Sequence, residues 1–312
     1  MKMNTTSFYA KILLFGEYGI ILNSKGLSIP YKKYKGGLRF KDFKQNVSRI
    51  KSHQTIIDFI YFLKSINSFR VSFDWEKINI DLSNDLYFES DIPEKYGVGS
   101  SGALVAAFYD HYSLNKIHST KNLNSRKLNE LKYIFSDMES YFHGKSSGLD
   151  PLNSYLGLPI LINSGKKIET ISIPSKNLGK NGAIFLIDTG IEGNTASMVD
   201  LFLDKMKKES YFKIIRQEFI PTTNKCVDNF LFGSKIFFFN YIKNLSKITY
   251  DNFKEMIPET FQEIWLNGIN SNSYFLKLCG SGGGGYILGF TLDFIKTTKL
   301  LSEYKLHFVH SI

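Results

Sequence analysis

A glycine- and serine-rich stretch, PEKYGVGSSGA at residues 93–103, has the composition best suited to binding a phosphate. Gly97 and Gly99 lack the Cβ atoms that would keep a ligand away from the backbone. Ser100 and Ser101 supply hydroxyls where a helix is predicted to begin and where several N–H groups have no intrahelical partner. A glycine-rich turn that leads into a helix N-terminus favours phosphate binding. A capped turn before a core helix explains the spacing alone equally well.

Three ionisable residues elsewhere have types that could act on a bound phosphate. Lys11 lies in an apolar run, residues 10–19, that is typical of a buried strand and turn. Glu139 lies near the end of a predicted helix, where a carboxylate opposes the helix dipole, and Asp150 directly precedes Pro151. Each also has a structural interpretation: a surface lysine, an exposed glutamate, and an N-cap followed by a proline at the first helical position.

Two other glycine-containing stretches resemble nucleotide-binding motifs but lack the spacing or the following helix that those motifs require. Gly144-Lys145-Ser146 resembles the end of a Walker A sequence, but the position five residues earlier is Glu139 and not glycine. Residues 280–285 satisfy G-x-G-x-x-G, but they lead into the strand-like residues 286–290 instead of a helix. A glycine run between two strands instead allows a close approach of backbone or ligand.

The composition favours a globular protein that handles an anionic small molecule. The 312 residues carry a net charge of +10, from 39 basic and 29 acidic side chains, and the lysines are scattered. We therefore expect an anionic substrate rather than a nucleic acid, since no concentrated basic stripe is present. Two cysteines are too few for a disulfide framework, which fits a cytoplasmic protein. No apolar run approaches the ~20 residues of a membrane span, and the N-terminus does not resemble a signal peptide.

Hydrophobic periodicity predicts a mixture of helices and strands. Helical spacing predicts helices over residues 52–66 and 126–142, and alternation over residues 69–73 and 77–82 predicts a pair of strands. Residues 174–181 have the composition of a linker, so we place the domain boundary there. The second half begins with a predicted strand at residues 183–188 and continues with helical patterns.

Three separated stretches together resemble the GHMP kinase superfamily. They are residues 11–30, the P-x-x-x-G-x-G-S-S sequence at residues 93–101, and the glycine run at residues 280–285. Within the superfamily, Glu139 followed by HGKSSGLD at residues 143–150 resembles the mevalonate kinases. The chain departs from the pattern at Phe8-Tyr9-Ala10, where Ala-Pro-Gly is usual, and at Tyr18, where a histidine is common. Gly102 replaces a usual alanine, a change that we expect to be harmless.

The resemblance implies an α+β, two-domain GHMP kinase fold. The N-terminal domain, residues 1–178, would have a ribosomal-protein-S5-like core and carry the ATP, Mg²⁺ and catalytic residues. The C-terminal domain, residues 182–312, would be ferredoxin-like and carry the substrate side and the third glycine-rich motif.

The resemblance also implies a role for each motif residue. Asp150 would accept the proton of the substrate hydroxyl, and Lys11 would sit beside it, keep it ionised and stabilise the transferring phosphoryl group. Mg²⁺ would be bound by Ser101 and Glu139. The nucleotide phosphates would be held by Gly97, Gly99, Ser100, Ser101 and Gly102. The substrate would be contacted by Glu17, Tyr18, Thr195, Gly282 and Gly283.

The implied activity is an ATP- and Mg²⁺-dependent phosphotransferase with a small alcohol as acceptor. Mevalonate, converted to 5-phosphomevalonate in isoprenoid precursor biosynthesis, is the acceptor that the resemblance favours. Another kinase of the superfamily, such as phosphomevalonate kinase, and a non-catalytic ligand-binding protein of the same fold stay as alternatives. We expect no nucleic-acid or membrane partner, and the sequence leaves a homodimer open.

Overall fold

The computed structural model describes residues 6–40, 46–66, 70–119, 123–165, 167–174 and 181–312. The chain is 51% helical and 20% strand, which confirms the predicted α+β class. Within the described ranges, no helix has the length and apolar character required to cross a membrane. The predicted domain boundary at residues 174–181 lies largely outside the described residues, so it stays a prediction.

The chain divides into two compact units, each built from three separate segments. Unit 1 comprises Met1–Lys11, Ile29–Pro93 and Gly99–Leu158. Unit 2 comprises Ile12–Ser28, Glu94–Val98 and Pro159–Ile312. Strand β1 (Phe8–Phe15) and strand β2 (Gly26–Phe40) therefore contribute residues to both units.

Unit 1 combines an antiparallel strand pair with helices. Its part of β2 pairs with β3 (Leu86–Ser90), with Gly36 opposite Ser90 and Phe40 opposite Leu86. The helices are α1 (Val47–Ser65), α2 (Trp75–Ser83), α3 (Ser100–Tyr112), α4 (Ser125–His143) and α5 (Leu149–Leu156). Helix α3 is buried continuously from Gly102 to Tyr109, which its nearly unbroken apolar sequence explains.

One predicted strand of unit 1 is wrong, and one alternative interpretation of Asp150 does not hold. Residues 77–82, predicted as a strand, lie within α2, because the Asp74 side chain caps the helix by accepting a hydrogen bond from the Lys77 N–H at 3.0 Å. Asp150 was also interpreted as an N-cap, yet the N-cap of α5 is Gly148 in the left-handed conformation. Asp150 instead lies in the first helical turn, where its side chain has no capping role.

Unit 2 contains a four-stranded antiparallel sheet in the order β7-β8-β6-β9. These strands are β6 (Ala183–Asp188), β7 (Phe275–Leu278), β8 (Tyr286–Thr291) and β9 (Leu306–Ser311). The short strands β4 (Ile160–Ile162) and β5 (Ile168–Thr170) pair with each other, and β4 also pairs with the first residues of β2. Strands β6, β7 and β8 are buried on both faces, so the continuous apolar runs of β6 and β8 are expected, whereas β9 is partly exposed.

The helices of unit 2 lie mainly between β6 and β7 in sequence. They are α6 (Thr195–Lys205), α7 (Glu209–Ile214), α8 (Ile220–Phe232), α9 (Lys235–Asn252), α10 (Glu259–Ser271) and, after β8, α11 (Phe294–Leu300). A π-helical segment, Ile215–Phe219, joins α7 to α8 just ahead of Pro221. Aromatic side chains fill this core, with Phe202, Phe253 and Trp265 completely buried.

Candidate active site

Lys11 and Asp150 form an ion pair in unit 1. Lys11 is placed by the buried strand β1, and its Nζ lies 2.9 Å from Oδ2 of Asp150 in the first turn of α5. The lysine side chain is 5% exposed, whereas the aspartate side chain is 36% exposed. One carboxylate is thus held by a buried cation while it stays accessible to a reactant.

The glycine-serine stretch lies directly against this pair. Gly99, the N-cap of α3, has a φ of +81°, and a Cβ there would come within 3.0 Å of Cγ of Lys11. A Cβ on Gly102 would lie 2.8 Å from the Asp150 carbonyl carbon and 2.9 Å from the Pro151 nitrogen. Helices α3 and α5 therefore approach too closely at this position for a methyl group, so glycine fits there and the usual alanine would require a shift of the backbone.

Glu139 provides a second carboxylate in the same unit. It is 3% exposed, and its Oε1 accepts a hydrogen bond from the Ser101 hydroxyl at 3.2 Å. Its Oε2 accepts another from the Ser146 hydroxyl, and the Ser101 oxygen also lies 3.1 Å from Nε2 of His143. Burial, followed by the nearby charge of Asp150, raises the pKa of Glu139 to about 8, although both hydroxyls and Lys11 act in the opposite direction.

These donors suit a magnesium ion. A buried carboxylate with a raised pKa next to a second carboxylate is an electrostatic arrangement that a bound cation would relieve. In the part of the chain that the structure describes, no three histidine, cysteine or acidic residues cluster as a metal-binding group. A set of one carboxylate and one hydroxyl fits Mg²⁺ in particular, since that ion usually keeps water and phosphate oxygens as further ligands.

Gly97 belongs to unit 2, where it lies close to the third glycine-rich motif. Its φ is +76°, and a Cβ on it would lie 2.6 Å from the Cys279 carbonyl oxygen. A Cβ on Gly280 would come within 3.3 Å of the Gly97 Cα. Both positions require glycine, because the two backbones touch and each has a positive φ. The residues predicted to hold phosphate are thus divided, with Gly97 in unit 2 and residues 99–102 in unit 1.

The residues predicted to contact the substrate all lie in unit 2. The Tyr18 hydroxyl donates to the Ser281 carbonyl at 2.5 Å, and the Ser281 hydroxyl donates to Oγ1 of Thr195 at 3.2 Å. Gly282 and Gly283 follow in the same loop, and the Gly283 N–H donates to the Met256 carbonyl at 2.7 Å. Glu17 is 7% exposed and accepts a hydrogen bond from Lys277 at 2.5 Å. The structure therefore brings Tyr18, Ser281 and Thr195 together, while Glu17 is turned into the interior of the unit.

Two polar residues at these sites were not predicted from the sequence. Ser146, which holds Glu139, lies inside HGKSSGLD but carried no individual signal. Lys277 did carry one, because a single lysine in the otherwise apolar strand FLKL must either reach solvent or find a buried partner. Its partner, Glu17, is 260 residues away in sequence, so the pairing itself was not predictable.

Comparisons with known proteins identify the fold and the family that the chain resembles. Residues 61–157 match the model of the GHMP kinases N terminal domain. No curated protein matches the sequence significantly. Three similar solved structures are two mevalonate kinases and a phosphomevalonate kinase. L. major mevalonate kinase in complex with R-mevalonate has a TM-score of 0.63 at 17% identity, over 99% of this chain and 97% of that one.

The other two structures align over nearly the whole of both chains. Methanococcus jannaschii mevalonate kinase gives a TM-score of 0.60 at 18% identity, over 98% of each chain. Streptococcus pneumoniae phosphomevalonate kinase gives 0.61 at 13% identity, over 100% of each. At these identities the likeness shows the fold alone. Together with the N-terminal domain match, it confirms the resemblance to the GHMP kinase superfamily that the three motifs predict.

Proposed function

We propose that this chain, which has the GHMP kinase fold and a GHMP kinase N-terminal domain, is an ATP- and Mg²⁺-dependent kinase of a small alcohol. The observation that carries the proposal is the Lys11–Asp150 pair, 2.9 Å apart, with the Gly99–Gly102 backbone packed against both residues. A binding protein needs no accessible carboxylate held by a buried lysine. A phosphotransferase needs a base for the acceptor hydroxyl and a cation for the phosphoryl group.

Asp150 is the general base in this proposal. Its 36% exposed side chain can accept a proton from an acceptor hydroxyl, while the contact with Lys11 fixes the position of Oδ2. Lys11 stabilises the negative charge that develops as the phosphoryl group is transferred, and its burial strengthens that interaction. The left-handed Gly99 and the start of α3 orient backbone N–H groups for the phosphates of the nucleotide.

Ser101 and Glu139 would hold the magnesium ion. When bound there, Mg²⁺ would neutralise part of the phosphate charge. Ser146 keeps the Glu139 carboxylate in place, and His143 contacts the Ser101 hydroxyl that shares this carboxylate. The chain's own contribution is thus a carboxylate and a hydroxyl that Ser146 and His143 hold next to each other.

Mevalonate is the acceptor that we favour, with phosphorylation at its 5-hydroxyl. The support is the sequence HGKSSGLD, the preceding Glu139, and a fold shared with mevalonate kinases. Thr195 is exposed near Tyr18 and the third glycine-rich motif, so its hydroxyl is available to a polar acceptor. Phosphomevalonate is the second candidate, because the phosphomevalonate kinase structure has a TM-score of 0.61, close to the 0.63 of a mevalonate kinase structure.

The test is ATP consumption by the purified protein with mevalonate, phosphomevalonate and homoserine as separate acceptors. We expect Mg²⁺-dependent turnover with mevalonate and product phosphorylated at the 5-hydroxyl. If only phosphomevalonate is turned over, the acceptor is phosphomevalonate and not mevalonate. Binding of nucleotide without turnover of any acceptor would favour a non-catalytic protein and contradict the kinase assignment.

A further inference from the structure

Glu17 and Tyr18 have their polar groups engaged within unit 2. Glu17 and Lys277 are 7% and 5% exposed, and the lysine donates both to the Glu17 carboxylate at 2.5 Å and to the Leu278 carbonyl at 2.9 Å. Lys277 also lies over the Phe15 ring, 5.9 Å from its centroid. A carboxylate held in this way is poorly suited to contact a substrate directly.

Tyr18 adopts an unusual backbone conformation to reach its partner. Its φ of 58° and ψ of −42° are rare for a residue with a side chain, and such strain persists only where surrounding contacts enforce it. Its ring packs against Phe202 and Phe253, with centroids 4.6 and 5.6 Å away. The hydroxyl donates its hydrogen to the Ser281 carbonyl, so that hydrogen is not available to another acceptor.

The loop that receives these contacts is rich in positive-φ glycines. Gly280, Gly282, Gly283 and Gly285 all have φ between 70° and 75°. Because glycine loses the most conformational freedom on ordering, such a loop needs contacts from outside itself to keep one conformation. Lys277 anchors the strand that enters the loop, and Tyr18 anchors a carbonyl within it.

We propose that Lys277 and Tyr18 are positioning residues that hold the third glycine-rich loop, residues 279–285, in the conformation that receives the acceptor. Lys277 acts through Glu17, which lies two residues after the end of β1 and directly precedes Tyr18. Tyr18 acts through Ser281, whose own hydroxyl reaches Thr195. The acceptor side of the reaction therefore depends on two side chains that do not touch the acceptor. This inference rests on the proposed kinase function only for its kinetic consequences.

The sharpest test is Tyr18→Phe, which removes one hydroxyl and keeps the ring. We expect faster hydrogen exchange in the peptide that covers residues 279–285, and a KM for mevalonate raised about fivefold while the KM for ATP changes little. The matched control is Tyr274→Phe, because Tyr274 is also buried in unit 2 and donates to a backbone carbonyl, Ile264, at 2.9 Å. That variant loses a comparable hydrogen bond but should leave loop exchange and the mevalonate KM unchanged.

A second test addresses Lys277. Lys277→Met alone leaves a buried carboxylate and risks unfolding, so it is compared with the double variant E17Q/K277M, which removes both charges. We expect the double variant to fold and to show the same faster exchange over residues 279–285. If Lys277→Arg, which keeps the positive charge, shows the same slow hydrogen exchange over residues 279–285 as the wild type, a positioning role for the cation is supported.

The exchange and kinetic readouts separate the two proposals. If the wild-type protein turns over no acceptor, the kinase proposal fails, yet the exchange experiment still decides whether Tyr18 and Lys277 hold the loop. If Tyr18→Phe and E17Q/K277M leave exchange over residues 279–285 unchanged, the inference is overturned whatever the kinetics show. The inference would also be overturned if Tyr274→Phe increased hydrogen exchange over residues 279–285 as much as Tyr18→Phe does. The effect would then reflect a general loss of stability.

Discussion

Two lysine–carboxylate pairs, one in each unit, have the same chemistry and very different surroundings. In unit 1, Lys11 is 5% exposed and Asp150 is 36% exposed, with 2.9 Å between the charged atoms. In unit 2, the side chains of Lys277 and Glu17 are each 6% exposed, with 2.5 Å between them. Both lysines are buried, so the two pairs differ in the exposure of the acidic side chain. An accessible acid can exchange a proton with a ligand, whereas a fully buried pair can only hold parts of the chain together.

This contrast separates chemical from positional roles better than residue type does. Both pairs involve residues in or beside the GHMP-like motifs, and sequence resemblance alone assigned Glu17 to the substrate. Its burial argues for a positioning role instead.

The largest effect is expected for Asp150→Asn. Removal of the general base should lower kcat by about 10²- to 10⁴-fold, because proton transfer from the acceptor is lost. Nucleotide binding should change little, since the proposed function assigns the phosphates to the glycine-serine stretch and not to Asp150. Steady-state kinetics and calorimetric titration with an ATP analogue measure the two quantities separately.

The matched control is Asp110→Asn, which breaks another ion pair of unit 1. Asp110 and Lys116 lie 3.0 Å apart and are partly exposed, at 28% and 24%. We expect this variant to keep nearly full activity. If Asp150→Asn kept as much activity as Asp110→Asn, Asp150 would not be the general base.

The next effect concerns stability rather than rate. Lys277→Met should destabilise the protein by about 3–5 kcal/mol, since it leaves Glu17 as an uncompensated buried charge. Lys11→Met should cost less, because Asp150 remains partly hydrated and the Met side chain still fills the space beneath Gly99. Urea denaturation of both variants provides the comparison. A larger loss in Lys11→Met would contradict the assignment of Lys277–Glu17 as the structural pair.

The sequence identified four polar residues that the structure brings together, but it did not predict the long-range pairing of Lys277 with Glu17. Lys11, Ser101, Glu139 and Asp150 were identified from local motifs, and the structure brings all four together in unit 1. The Lys277–Glu17 pair was missed because nothing local specifies a partner 260 residues away. Residues 77–82 were wrongly predicted as a strand, because a short alternating run does not distinguish a strand from an amphipathic helical turn. The Asp74 side chain caps the helix that these residues form.

A smaller effect is expected for Gly102→Ala. Alanine ordinarily favours a helix over glycine by about 1 kcal/mol, but here the added Cβ would lie 2.8 Å from the Asp150 carbonyl carbon. The start of α5 must shift, so we expect kcat to fall about tenfold, as misplacement of a base by a fraction of an ångström is costly. The control is Gly157→Ala just after the other end of α5, where φ is +61° and unfavourable for alanine, but no atom lies within 4 Å of the added Cβ. That variant should lose stability and keep its kcat.

The smallest effect concerns another buried acid, Glu139, whose side chain accepts hydrogen bonds from two hydroxyls. Its pKa in the folded protein is raised to about 8, chiefly by burial and then by Asp150. The folded state therefore binds more protons than the unfolded state between about pH 4.5 and pH 8, so Glu139 makes the metal-free protein less stable as the pH rises through this window. Glu139→Gln should flatten that slope when unfolding is followed in urea with a chelator present. Glu255→Gln is the contrasting control, because Lys205 lowers the pKa of Glu255 and places its effect below this window. An unchanged slope in Glu139→Gln would mean that Glu139 is already ionised at neutral pH without a cation, and that its contrast with the lysine-paired Glu17 is smaller than its burial indicates.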